Sequence, residues 1–235
     1  MKPEEDILRI RQRAEDGDAV SQVELGSKYL LGDSGFEKDI AKAIYWYDQA
    51  ISSGWKNAYL DKANLYHYWY FSGANALQLG VKKAEEVLNI GCEDYSIGAA
   101  AELGDWYANF NRDYLPADYK KAVWCYERAF EIAEMSPIKG VSTGKEHLTQ
   151  AACGLASMYW HGYGIEKDEN KALVYALKSF KDCPHAKVTH DLLKEMFDHG
   201  VGGAMSKNLS YACGSHDINV LWQFLSMIEE QVGFL

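Results

Sequence analysis

A leucine, a small residue and a tyrosine recur along the chain at i, i+1 and i+4. They appear as Leu25, Gly26 and Tyr29, as Leu103, Gly104 and Tyr107, and as Leu155, Ala156 and Tyr159. On a helix this spacing puts all three on one face. The small residue lets a neighbouring backbone approach, and the tyrosine fills the space beside it. A second apolar set follows, with Ala43, Tyr47 and Ala50 at i, i+4 and i+7, and the stretch 122–129 nearly superimposes on 43–50. A Lys-Ala pair opens each of these second segments, at Lys42-Ala43, Lys83-Ala84, Lys121-Ala122 and Lys171-Ala172. Gly32, Gly73 and Gly162 are placed to end the first segments in left-handed C-caps. The pattern therefore predicts pairs of antiparallel helices of roughly 12–15 residues each. Neither helix of a pair can bury its apolar face alone, but stacked pairs share a continuous core.

The predicted organisation is one domain over 1–235. A partial leading unit spans about 7–17, and repeats span 18–54, 55–93, 96–135 and 146–180. A degenerate repeat and C-terminal cap fill 184–235. The second repeat carries the signature only in degraded form, at Asn64, Leu65 and Tyr68. Residues 135–145 are an insert between the third and fourth repeats. A final amphipathic helix over 217–230 is predicted, with Ser215 as its cap and Ile218, Leu221, Trp222, Leu225 and Ile228 on one side. The predicted fold class is an all-α, right-handed α-solenoid of about ten helices, with no linker dividing it.

Charge narrows the function classes. Lys and Arg total 24 against 34 Asp and Glu, a formal net charge of −10. Nucleic acids and anionic membranes bind mainly through cationic contacts to phosphate, so neither is an expected partner. A basic protein is the natural complement. The five cysteines, Cys92, Cys125, Cys153, Cys183 and Cys213, are odd in number and far apart. With no secretory signal visible and no apolar run long enough to span a bilayer, they suggest reduced thiols in a cytoplasm.

Candidate chemistry is thin. Gly140, Ser142 and Gly144 match the G-x-S-x-G pattern of a nucleophile elbow, which needs a strand before the serine and a helix after it. Pro137, Ile138 and Lys139 directly precede the motif, too little for a central strand, so Ser142 is expected to be inert. Ser142 with Lys145 also has S-x-x-K spacing, as do Ser53 with Lys56 and Ser136 with Lys139, which shows how cheaply that match arises. The seven histidines form no H-E-x-x-H, and no Cys/His set has zinc spacing. No catalytic residue, metal or cofactor is expected.

The stretch from Leu155 to Tyr159, then Gly162, Gly164, Asp168 and Lys171-Ala172, resembles the Sel1-like repeat, a relative of the tetratricopeptide repeat. The first unit is similar through Leu25-Gly26, Tyr29, Asp39, Lys42-Ala43, Trp46-Tyr47, Ala50 and Gly54. The third matches at Leu103-Gly104, Tyr107, Lys121-Ala122, Tyr126 and Ala129. In such folds the first helices line a concave face, and ligand contacts come from fixed offsets around the signature. Here the resemblance implies a partner-binding set of Tyr66, Trp69, Tyr70, Asp105, Asn109, Trp160 and His161. The same offsets fall also on Ser27, Leu30, Leu31, Ala108 and Ser157. The alternative is that Trp69 and Trp160 pack against the next unit. The resemblance further implies non-catalytic protein binding as a scaffold, adaptor or inhibitor. A bacterial immunity protein that neutralises a basic toxin or effector in the cytoplasm is one such role. Two rivals are a regulatory subunit and a hydrolase of the cysteine-rich, β-lactamase-like Sel1 type. This chain lacks the paired cysteines of the hydrolase type.

Overall fold

The computed structural model describes residues 3–33, 35–73, 75–109, 115–135, 144–201, 203–215 and 217–232. These residues form twelve α-helices and no strand. The chain divides into two compact units, Met1–Pro116 and Ala117–Leu235, and the boundary falls inside the third repeat. The first unit holds α1 (Pro3–Glu15), α2 (Ala19–Leu31), α3 (Ile40–Ser52), α4 (Ala58–Leu65), α5 (Ala76–Glu93) and α6 (Ile97–Ala108). The second holds α7 (Tyr119–Met135), α8 (Lys145–His161), α9 (Glu169–Asp182), α10 (Lys187–Asp198), α11 (Ser206–Ser215) and α12 (Ile218–Val232). Within the units α2 packs on α3, α4 on α5, α8 on α9 and α10 on α11, so helix pairs are the building block. The excess over ten helices comes from the C-terminal region, where a full pair precedes the last helix.

The repeated residues turn out to be a joint. Asp39 caps α3, its carboxylate accepting from the Lys42 N–H at 3.0 Å, and Asp168 caps α9 the same way through Lys171. Asp118 accepts from the Lys121 N–H at 3.1 Å. The aspartate's own N–H then closes the loop back onto the preceding helix. Asp39 donates to the Tyr29 carbonyl at 2.8 Å, and Asp168 to that of Tyr159 at 3.0 Å. The lysine next to the alanine lies over the same tyrosine ring, Lys42 on Tyr29 and Lys171 on Tyr159, each at 5.2 Å. One aspartate thus supplies a cap and a loop closure, and one lysine a cation–π contact.

The small residues permit contacts that a methyl group would obstruct. A Cβ at Gly26 would stand 2.7 Å from the Tyr47 ring, and one at Gly154 would stand 2.3 Å from the Tyr126 ring. Tyr47, Tyr126, Leu25, Leu103 and Leu155 are all buried. Gly32 and Gly162 end α2 and α8 in the left-handed conformation, as expected.

Three details differ from the sequence reading. In the second repeat the tyrosine beneath the lysine is Tyr66, which lies 5.9 Å from Lys83 Nζ, whereas Tyr68 faces outward. Gly73 has a positive φ but stands beyond the helix end, because α4 gives way to a π-helical turn. The cap of α12 is Asp217, which accepts from the Asn219 N–H at 3.2 Å, while the Ser215 hydroxyl donates backward to the Tyr211 carbonyl. Leu221 and Phe224 are buried on α12. Among the described residues no helix is long and apolar enough to cross a membrane.

Candidate protein-binding site

Residues Tyr66–Tyr70, read as Tyr, His, Tyr, Trp, Tyr, form a π-helical turn at the end of α4. The wider i→i+5 spacing takes up one extra residue, and such turns recur at functional positions. Gly80 on α5 is what the turn rests against. A Cβ there would lie 2.7 Å from the His67 carbonyl oxygen and 2.8 Å from that of Tyr66. Only glycine lets the two backbones come this close.

The turn sorts its five rings. His67 is buried, its ring 3.9 Å from that of Tyr68 and 5.4 Å from that of Trp106 on α6. Tyr66 is half-buried and meets Tyr70 edge-on at 5.0 Å. Tyr68, Trp69 and Tyr70 are left in solvent, at 56%, 43% and 48% exposure. Lys38, from the loop between α2 and α3, sits 4.5 Å above the Trp69 ring in a cation–π contact. Three consecutive large aromatics, anchored through the backbone beneath them, make an apolar surface on the first unit.

The other sequence-assigned residues fare differently. Asp105 is half-buried on α6, and its carbonyl accepts from the Asn109 N–H at 3.0 Å. Asn109 is the left-handed C-cap of that helix, with φ 55°, doing for the third repeat what Gly32 and Gly162 do for the first and fourth. Trp160 is only 5% exposed. Its indole N–H donates to Glu195 of α10 at 2.8 Å, and its ring meets His199 and, at 4.7 Å, Lys167. The Trp160 ring is thus enclosed by its own unit, which is the packing alternative weighed for it above. His161 is exposed and stacks at 5.1 Å on Tyr163, which stacks at 4.8 Å on Tyr119. The structure therefore gathers Tyr66, Trp69 and Tyr70 in one turn and puts Trp160 and His161 in the other unit. Tyr68 and Tyr163 were missed as surface residues. The aromatic run itself was the available signal for Tyr68; Tyr163 depends on Gly164, whose φ of 71° folds the loop onto the start of α7.

Electrostatics around α4 single out Asp61. Burial pushes its carboxyl up to about 6. Asp94, by contrast, is held below the usual carboxylate range by hydrogen bonds from Lys56 and Tyr59. Ser142 and its neighbours 136–143 lie outside the described residues. None of the five cysteines is in a disulfide, and burial pushes Cys213 up to about 12, which makes it a poor nucleophile. Among the described residues no group of three His, Cys, Asp or Glu side chains is placed to hold a metal ion.

The Sel1 repeat family matches residues 19–55, 97–131 and 149–181, leaving out the second repeat with its π turn. No curated protein sequence is significantly similar to this chain. Among solved structures, a Sel1 repeat protein from Oxalobacter formigenes is similar, with a TM-score of 0.56 and 22% identity. That similarity covers 87% of this chain and 74% of the other. A second is c5321, titled a protective antigen present in uropathogenic Escherichia coli strains and displaying an SLR fold. It has a TM-score of 0.39 and 20% identity over 95% of this chain and 51% of that one. Sel1 repeats generally mediate protein–protein contacts, and their fold is typically a non-catalytic scaffold.

Proposed function

We propose that this Sel1-repeat protein is a non-catalytic binding protein that docks a basic protein partner on the aromatic turn of its first unit. The observation that carries the reading is the exposure of Tyr68, Trp69 and Tyr70 on a backbone fixed by Gly80. Tryptophan and tyrosine are the residues enriched at the energetic centres of interfaces. The net charge of −10 favours a cationic partner and speeds its encounter. Within this class we favour an inhibitor or adaptor acting in a cytoplasm. Neutralising a basic toxin or effector, as an immunity protein does, fits the same charge. Asp105 on α6 and Asn109 at its end, in the same unit, are the further candidates of this reading, Asn109 through its backbone role there; His161 is a separate candidate on the second unit.

The test is to identify the partner by affinity capture from the native host, then titrate it with Trp69→Ala and Tyr70→Ala. Each is expected to weaken binding by about 30-fold at an unchanged melting temperature, since a central aromatic anchor is worth about 2 kcal/mol or more. Wild-type affinity in both variants would move the interface elsewhere.

A further inference from the structure

We infer that the cleft between α10 and α11, in the second unit, binds a small phosphate monoester through Lys194, Lys207 and the Tyr211 hydroxyl. This is a site of its own and owes nothing to the aromatic turn of the first unit.

The cleft follows from one face of each helix. Lys207, Ser210, Tyr211, Gly214 and Ser215 recur at i, i+3, i+4, i+7 and i+8 on α11, so they share a stripe. Lys194 meets that stripe from α10, and the six residues line a cleft of about 370 Å³. This lies at the lower end of the range that small-molecule sites occupy. Gly214 keeps the cleft open. A Cβ there would stand 3.5 Å from Lys194 Cε, so a longer side chain would grow into the space the glycine leaves. Tyr211 borders the cleft and is 77% exposed.

The polar groups sort into committed and free. Lys194 gives one N–H to Asp198 at 2.6 Å. Ser210 donates to the other oxygen of that carboxylate, and Ser215 donates to the Tyr211 carbonyl at 2.9 Å. Asp198 is thereby neutralised, and both hydroxyl protons are used. Among the described residues Lys207 has no ion pair and the Tyr211 hydroxyl no hydrogen bond. Two N–H groups of Lys194, three of Lys207 and one phenol O–H are left at one cleft.

An excess of donors selects an oxyanion. A carboxylate offers two oxygens, whereas a phosphate monoester offers three terminal oxygens and nearly two charges, and so uses more of the donors. Hydrogen bonds from an ammonium to phosphate are of the strong, charge-assisted kind. The Tyr211 ring and the lysine stems give the organic part of the ester an apolar bed. The local charge permits an anion. Residues 184–215 set Lys187, Lys194 and Lys207 against Asp191, Glu195 and Asp198, and Glu195 already accepts from Trp160. The net charge of −10 is therefore carried outside this segment, and physiological salt screens it beyond about 8 Å.

The experiment titrates the full chain with phenyl phosphate at physiological salt and about pH 8, where the ester is a dianion, and follows the backbone amides by NMR. Saturating shifts are expected, centred on residues 194, 207, 210, 211, 214 and 215. Lys207→Gln is expected to weaken binding about 10-fold. Lys187→Gln removes the same charge from an exposed position about two turns earlier on α10, and should change binding by less than about twofold. Gly214→Leu keeps every charge, fills the cleft and should abolish binding, with its amide spectrum reporting that the fold is intact. Inorganic phosphate and benzoate, titrated alongside, are each expected to bind at least about fivefold more weakly. No saturable shift below about 10 mM, or equal losses in the two lysine variants, would remove the site. Benzoate binding as tightly as phenyl phosphate would make this a carboxylate site, and inorganic phosphate doing so would leave the ester's organic part without a role. Either result overturns the assignment to a monoester. None of these outcomes touches the aromatic surface, which stands or falls on Trp69→Ala with the natural partner.

Discussion

Trp69 and Trp160 each follow a tyrosine near the end of the first helix of a repeat, and by the pattern of residues they occupy equivalent places. Trp160 is enclosed by Glu195, His199 and Lys167, whereas Trp69 stands in solvent with Lys38 above it. At the same place in the first and third repeats, Leu30 and Ala108 are buried, as Trp160 is. The exception is therefore the second repeat. One extra residue taken up by a π turn rotates everything after it by about 100°, the angle between successive residues on a helix. The signature role belongs to Tyr66, whose follower His67 is buried as Leu30, Ala108 and Trp160 are, and only Tyr68, Trp69 and Tyr70 are turned outward. The repeat keeps its packing and changes only what it shows.

The largest expected effect separates the two tryptophans directly. Trp160→Ala should cost about 3–5 kcal/mol of folding stability, because it empties a filled site and strands the Glu195 carboxylate. Chemical denaturation with matched slopes checks it, and a loss under about 1 kcal/mol would mean that the site collapses freely. Gly80→Ala attacks the turn from below. Its methyl would meet two backbone carbonyls, which cannot rotate away, so a cost of about 3 kcal/mol is expected, with partner binding lost together with the turn. Full binding in that variant would show that the turn's geometry does not matter.

Asp61→Asn acts in the opposite direction. The folded chain holds the Asp61 proton more tightly than the unfolded chain, where an aspartate titrates near 4. The stability this group supports is complete below about pH 4 and is lost as pH rises through about 6. Burial is the main cause of the shift, so the cost of ionising the group falls on the folded chain. The variant should gain about 2 kcal/mol over wild type near pH 8 and nothing near pH 4. Thermal melts at the two pH values decide this, and a gain independent of pH would assign the effect to something other than ionisation. Asp168→Ala removes the side-chain cap of α9 and leaves the backbone tie to Tyr159 in place, with about 1 kcal/mol expected by the same measurement. Trp69→Ala should fall within about 0.5 kcal/mol of wild type in stability, and this small value is what makes its effect on binding interpretable.

Most of the repeat architecture was legible because the residues that mark a repeat also pack or join it. Leu25, Gly26 and Tyr29 recur because a helix, a ring and a backbone must meet there, and Asp39 recurs because a helix must start. The second repeat was misread by two positions. Its run from Tyr66 to Tyr70 is aromatic throughout, and its one histidine, His67, is itself buried, so hydrophobic periodicity could not tell Tyr66 from Tyr68. Trp160 was legible as a repeat residue but not as a buried one, since its burial depends on Glu195 and His199 from the following repeat. Asn109 looked like a contact residue because its left-handed backbone is a property of the chain's path and leaves no mark in the spacing.

The hydrogen bond from two capping aspartates, Asp39 and Asp168, to the tyrosine carbonyl before each also makes a docking frame for foreign sequence. It ties the two ends of a loop together, at Tyr29 and Asp39 in one repeat and at Tyr159 and Asp168 in another, while the stretch between differs in length. Closing a flexible loop costs only slowly more as it lengthens, so added residues burden the ends little once they are fastened. Epitopes, fluorophore tags or protease sites inserted between Tyr29 and Asp39, or within 163–167, would be carried as passengers provided that Phe36, buried against Ala14 and Leu25, stays in place. The grafting at 163–167 would have to spare Gly164, whose contact with the start of α7 leaves no room for a side chain.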